Sequence, residues 1–151
     1  MFDFSDASEP TSNSFELIPD TQENFTITGA NWEKNKNGDK EKFALEFTVI
    51  GGEYDKRRIW QDLWLVSSNP AYAKRVYVEI MAAINNVEYQ HQKDNMGQMS
   101  KESMVESVLG KQITANIYTQ KANGDFPAKN QVNKFKHYEA GFSVDSDSIP
   151  F

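Results

Sequence analysis

Phe43-Ala-Leu-Glu-Phe-Thr-Val-Ile50 sets Phe43, Leu45, Phe47 and Val49 against Ala44, Glu46, Thr48 and Ile50. Side chains along a strand point to opposite faces in turn, so this period of two predicts a strand with one buried face. Gly51-Gly52 ends it. Upstream, Phe25, Ile27 and Gly29 alternate with Thr26 and Thr28 before the register slips toward Trp32. That slip predicts a kinked strand. Lys34-Asn-Lys-Asn-Gly-Asp-Lys40 then reads as a hairpin loop with Asn37-Gly38 as its turn. Downstream, Glu53-Tyr-Asp-Lys-Arg57 leads into Arg58-Ile-Trp-Gln-Asp-Leu-Trp-Leu65, where Trp60, Asp62 and Trp64 share one face. Gln61 interrupts the other face, so this third strand is buried on one side and functional or edge-like on the other.

The second half of the chain changes period. Asn69 is the expected cap and Pro70 the first position of a helix in which Ala73, Val76, Tyr77, Ile80, Ile84 and Val87 recur at three- and four-residue steps. Glu88 to Gln98 is polar and rich in Asn and Gln, and reads as a long mobile or specialised connection. Ser100 to Leu109 reads as a short helix capped by Ser100 and ended by Gly110. Lys111 to Gln120 and Asn130 to Tyr138 supply two more strands, joined through Asn123-Gly124. In the last strand Val132, Lys134, Lys136 and Tyr138 oppose Asn133, Phe135 and His137. The expected fold is therefore all-β with one or two helices, in the order strand, strand, strand, helix, strand, strand. That is the order of a five-stranded OB barrel.

Length and composition bound the rest. A chain of 151 residues fits one domain able to bury a core without staples. The absence of cysteine excludes disulfide frameworks and thiolate metal sites. No apolar run reaches the roughly 20 residues that span a bilayer, and the start, Met-Phe-Asp-Phe-Ser-Asp, is acidic where a signal peptide would be basic. The expectation is a soluble, unexported protein. Its net charge is −6, unevenly spread: residues 1–23 and 139–151 carry nine acids and no base, leaving 13 acids against all 16 Lys and Arg in residues 24–138. Acidic ends thus flank a body of net charge +3. Residues 1–14 read as an acidic arm, residues 15–142 as the folded domain and residues 143–151 as an acidic tail.

Two resemblances follow. Asp145-Ser-Asp-Ser-Ile-Pro-Phe151 resembles the C-terminal tip of bacterial single-stranded DNA-binding proteins, where an acidic run ends in Ile-Pro-Phe. That likeness implies recruitment of replication or recombination proteins by Asp145, Asp147, Ile149, Pro150 and Phe151 and the terminal carboxylate. Proline makes this tip a semi-rigid hook at low ordering cost. From about Phe15 to Phe142 the chain resembles a family of phage-encoded OB-fold single-stranded DNA-binding proteins, formerly a domain of unknown function. The likeness rests on Phe15-Glu-Leu-Ile-Pro-Asp20, Trp32, Lys34-Asn-Lys-Asn-Gly38, Leu45-Glu-Phe-Thr-Val49, Gly52-Glu-Tyr-Asp-Lys-Arg-Arg-Ile59, Val108-Leu-Gly-Lys111 and Asn130-Gln-Val-Asn-Lys-Phe135. Gln22-Glu-Asn-Phe25 replaces a Gly-Tyr-like pair, and Lys56 stands where the family pattern has glycine, adding a candidate phosphate contact. The family implies single-stranded DNA as ligand, a role in replication and recombination, no cofactor, and the cytoplasm of an infected bacterium.

Binding single strands without sequence preference takes cations along the phosphates and aromatic faces under the bases. The candidate cations are Lys34, Lys36, Lys40 and Lys42, then Lys56, Arg57 and Arg58, then Lys111, Lys134 and Lys136. The candidate platforms are Trp32, Tyr54, Trp60, Trp64, Tyr118 and Tyr138, with Tyr54 read as having no apolar neighbour to bury it. Strand tryptophans and tyrosines are more often packing than platforms, and loop lysines more often solvated than phosphate-bound. An enzyme is not expected. His91 and His137 stand in no ligand spacing, and neither a nucleophile elbow nor a phosphate-binding glycine loop appears. A metal-dependent nuclease and a strand-annealing protein are weaker alternatives. The main alternative is an interaction protein that mimics the tip of the host's single-strand binder without binding DNA. Exposed strand edges and the acidic arm leave a homo-oligomer open.

Overall fold

The alternation of Glu41–Ile50 is realised residue for residue, with Phe43, Leu45, Phe47 and Val49 buried and the positions between them partly covered. The structure, a computed structural model, describes residues 3–5 and 16–139. Most of the acidic arm 1–14, Phe15, and the tail residues Asp145, Asp147, Ile149, Pro150 and Phe151 lie outside the described residues. Within them the chain runs β1 (Thr21–Lys34), β2 (Glu41–Ile50), β3 (Arg58–Val66), α1 (Ala71–Asn85), α2 (Tyr89–Met96), α3 (Lys101–Val108), β4 (Gln112–Gln120) and β5 (Lys129–His137). The strands form one antiparallel sheet in the order β3-β2-β1-β4-β5.

The expected kink in β1 is a register shift between Ile27 and Gly29. An extra residue bends a strand and sharpens its twist, and here β1 pairs with β4 from Thr21 to Thr26 and with β2 from Asn24 to Lys34, on either side of the bend. The buried face of the sheet collects Phe25, Ile27, Phe43, Leu45, Phe47, Ile59, Leu63, Ile113, Ile117 and Val132, all essentially inaccessible. Burying each such side chain is worth roughly 1.5–3 kcal/mol. Phe25 meets Phe47 edge-on at 5.9 Å, and Phe43 meets Tyr77 of α1 edge-on at 5.7 Å, which fastens the helix to the sheet. Ile18 seals one end: its N–H donates to Asn130 Oδ1 at 2.9 Å, and Asn130 Nδ2 donates to its carbonyl at 3.0 Å.

The edges β3 and β5 share no backbone ladder, so the sheet is not closed into a barrel. They are joined by glutamines instead. Gln61 Oε1 accepts from the Val132 N–H at 2.9 Å, and Gln131 Nε2 donates to the Trp60 carbonyl at 3.1 Å. The polar interruption in the buried face of β3 is thus a buried side chain with a backbone partner.

Several expectations are corrected. Pro70 rather than Asn69 caps α1, without a side-chain bond, and Val87 lies exposed beyond the helix. The supposed connection Glu88–Gln98 contains α2, giving three helices among the described residues instead of one or two. Its one buried residue is Gln92, whose Oε1 accepts from Asn85 Nδ2 at 2.9 Å, and Met96 packs half-buried against the core, so an amide and a single methionine hold the helix without an apolar stripe. In β5 the backbone turns left-handed at Lys134 (φ 54°) and the register slips, so Val132 and Phe135 both face the core despite an odd spacing. The Ser100 cap is as expected, its side chain accepting from the Ser103 N–H at 3.1 Å. No helix among the described residues is long and apolar enough to cross a membrane.

Candidate nucleic-acid interface

The outer face of β3, β2 and β1 is ordered by register into rows. Arg58 pairs with Thr48 and Thr48 with Thr26; Trp60 pairs with Glu46 and Glu46 with Gly29; Asp62 pairs with Ala44 and Ala44 with Asn31. Trp64 lies beside Lys42, which pairs with Glu33. The edge strand therefore presents two tryptophans four residues apart, about 13 Å along the strand.

Trp60 is 60% exposed and Trp64 37%. Trp60 Nε1 donates to Glu46 Oε2 at 3.1 Å, Thr28 Oγ1 donates to Glu46 Oε1 at 2.7 Å, and Thr28 and Thr48 share a bond of 2.7 Å. This chain fixes the indole by its edge while its face stays in water. Gly29 keeps the row low, because a Cβ there would stand 3.0 Å from Glu46 Cβ. Lys42 Nζ bonds Asp62 at 2.9 Å, lies 3.8 Å from Glu33 and sits 5.5 Å over the Trp64 ring. The Asp62 bond chiefly holds its ammonium pKa above the usual lysine value. Arg58 lies 3.8 Å from Glu46 and remains largely exposed.

Two basic loops cap opposite ends of β2. Lys34, Lys36 and Lys40 lie at the exposed β1–β2 turn, whose Asn37-Gly38 has the expected left-handed glycine (φ 76°). Lys56 and Arg57 lie at the other end, with Lys56 itself left-handed (φ 71°). Arg57 Nη2 donates to the Glu16 carbonyl, so this cation is tied to the lead-in segment.

The remaining candidates stand elsewhere. Trp32 is half-buried 5.0 Å from Phe43, with Lys101 Nζ 5.2 Å over its ring. Tyr54 is half-buried against the core, contrary to its reading as a residue with nothing to cover it. Tyr118 is half-buried too, and burial raises its hydroxyl pKa. Lys111 is exposed, its carbonyl taking the Ile27 N–H at 2.8 Å beside the β1 bulge. Lys134 and Lys136 line a small hollow against the end of α1, with His137 Nδ1 3.1 Å from the Ala83 carbonyl, and Tyr138 follows half-buried. Register thus gathers Trp60, Trp64, Arg58 and Lys42, with basic loops at either end, and leaves Trp32, Tyr54 and the β5 lysines out.

Glu46 escaped the sequence reading as a site residue. Its signal was a lone acid among the outward positions of β2, opposite a tryptophan only once the register is known. Also missed was a groove of about 780 Å3 between β3, α1, α2 and the turn before α3, lined by Met96, Met99 and Met104 among others. No protein-family model matches the chain, and no curated protein does.

Proposed function

We propose that the chain is a single-stranded DNA-binding protein of the phage-encoded OB-like family, coating strands during replication and recombination across the outer face of β1, β2 and β3. The observation that carries this is Trp60, fixed at its edge by Glu46 and open on its face, in line with Trp64 between two basic loops. Exposed aromatic faces accept any base, and Lys and Arg at both ends follow the phosphates. An OB-like reading of the architecture is supported by the strand order, with β3 and β5 held edge to edge by Gln61 and Gln131. The acidic tail with its Ile-Pro-Phe tip recruits replication or recombination proteins.

Titration with oligo-dT at low salt tests the reading: stacking on Trp60 or Trp64 quenches tryptophan fluorescence, and added salt reverses it. A second reading draws on Glu33, Glu46 and Asp62, which offset Lys42 and Arg58 on the same face. In it the chain binds no DNA and acts through its tail alone, mimicking the host's single-strand binder. A flat titration at low salt selects that reading.

A further inference from the structure

The groove on the helix side of the sheet is chemically unlike the tryptophan face. Its floor is Met96, Met99 and Met104, all half-buried, and Val66 stands 46% exposed at its lip. Its charged side chains are Lys74 and Arg75 from α1 and Lys93 from α2, with no Asp or Glu among the described residues that line it. On a chain of net charge −6 that is a local concentration of the opposite sign. These cations are also largely uncommitted. Lys74 and Lys93 make no ion pair among the described residues, and Arg75 is held loosely, 3.7 Å from Glu79 and 5.2 Å over Tyr72. Asp94, the acid next to Lys93 in the chain, takes its hydrogen bond from Gln90 Nε2 at 2.9 Å.

That arrangement defines its occupant by charge and shape. Carboxylates must meet cations that come from two helices, while bulky apolar groups fill the methionine floor between them. A volume of about 780 Å3 is more than one side chain fills, so the apolar groups come as several anchors along one chain, the pattern by which peptides occupy grooves. Methionine suits the floor of such a site, because its unbranched side chain repacks around varied shapes. Complementary charge adds selectivity and speeds encounter.

We infer that the groove between α1, α2 and Met99 is a docking site for an acidic segment of another protein, one that carries at least two bulky apolar anchors beside its Asp or Glu residues. The anchors enter among Met96, Met99 and Met104, and the carboxylates pair with Lys74 and Lys93. The site is separate from Trp60 and does not rest on the nucleic-acid reading.

Selection of a random peptide library on the full chain, followed by methionine-methyl NMR, tests this. The enriched peptides are expected to combine acidic residues with bulky apolar ones and to move the Met96, Met99 and Met104 methyls while core Met81 stays. A Lys74→Glu/Lys93→Glu pair weakens them about tenfold, the factor that two exposed charge pairs of ordinary strength supply, and Lys121→Glu, an exposed lysine away from the groove, leaves them unchanged. A library that yields no binder overturns the inference, as do enriched peptides without acidic residues and peptides that move the Trp60 indole in place of the groove methyls. Groove methyls that shift when residues 143–151 are removed assign the groove to the chain's own tail, shifts that vanish on dilution of the free protein assign it to a second copy, and shifts on adding oligo-dT assign it to nucleic acid. Each of these three results refutes a site for another protein.

Discussion

Replacing Trp60 with alanine separates a stacking platform from a packing residue, because the structure limits each effect. If a base rests on the open face, its loss costs roughly 1–3 kcal/mol, or about 5- to 150-fold in affinity. The stability cost has a ceiling. Two-fifths of the side chain is covered, about 100 Å2 of a tryptophan's roughly 250 Å2, or at most about 2.5 kcal/mol at 25 cal/mol per Å2. Alanine keeps part of that contact, so a domain of ordinary stability stays folded and binding can be read. Anisotropy of a labelled oligo-dT at fixed low salt measures the first effect, and urea denaturation the second. Trp60→Phe keeps a ring and should retain most of the affinity. Trp32→Ala should do the reverse, losing about 2–3 kcal/mol of stability through its contact with Phe43 at little direct cost in binding. A Trp60→Ala chain that binds oligo-dT as tightly as wild type refutes the assignment of this face.

Other outcomes can be checked more briefly. Burial pushes the Tyr77 hydroxyl up to about 12, above its unfolded value near 10; the stabilisation is complete below pH 10 and is lost as pH rises toward 12. Urea midpoints across pH 9–12 should therefore fall, and Tyr77→Phe should flatten that fall. Lys56 holds a left-handed backbone that costs a non-glycine residue about 1–2 kcal/mol. Allowing for the greater flexibility of unfolded glycine, Lys56→Gly should raise stability by up to about 1 kcal/mol in urea denaturation while slightly weakening oligonucleotide binding. Gln61→Leu strands the Val132 N–H and should cost about 1–3 kcal/mol, visible as a lower melting temperature. Removing residues 143–151 should leave oligo-dT affinity equal or higher and abolish capture of replication proteins; loss of oligo-dT binding would make the tail structural.

The period of two in β2 and the slip in β1 were legible because burial on one face selects residue type at alternate positions. The kink near Gly29 was legible for the same reason, the alternation breaking before Trp32. Helix α2 was not, since its one buried side chain is the amide of Gln92 against Asn85, and Met96 by itself makes no apolar stripe. Phe135 was assigned away from Val132 because one left-handed residue, Lys134, moves it across the strand, and a lysine gives no warning of that conformation. Lys56 is the counterpart, a second lysine whose left-handed backbone, φ 71°, its residue type did not announce. On the candidate face, Trp60, Arg58 and Trp64 could be named from β3 alone. Their partner Glu46 required the pairing register, and burial of Tyr54 required the fold around it.

The facing edges of β3 and β5 bear on how the protein behaves at high concentration. An unpaired strand edge is a template onto which another chain can add, and copies meet such edges more often as they crowd. Gln61 and Gln131 turn one backbone group on each edge inward to a side-chain amide, and the slip at Lys134 breaks the straight run of β5. Neighbouring copies are thereby denied a flat seam for strand addition, which directs crowding at high concentration toward side-by-side packing and away from fibril growth.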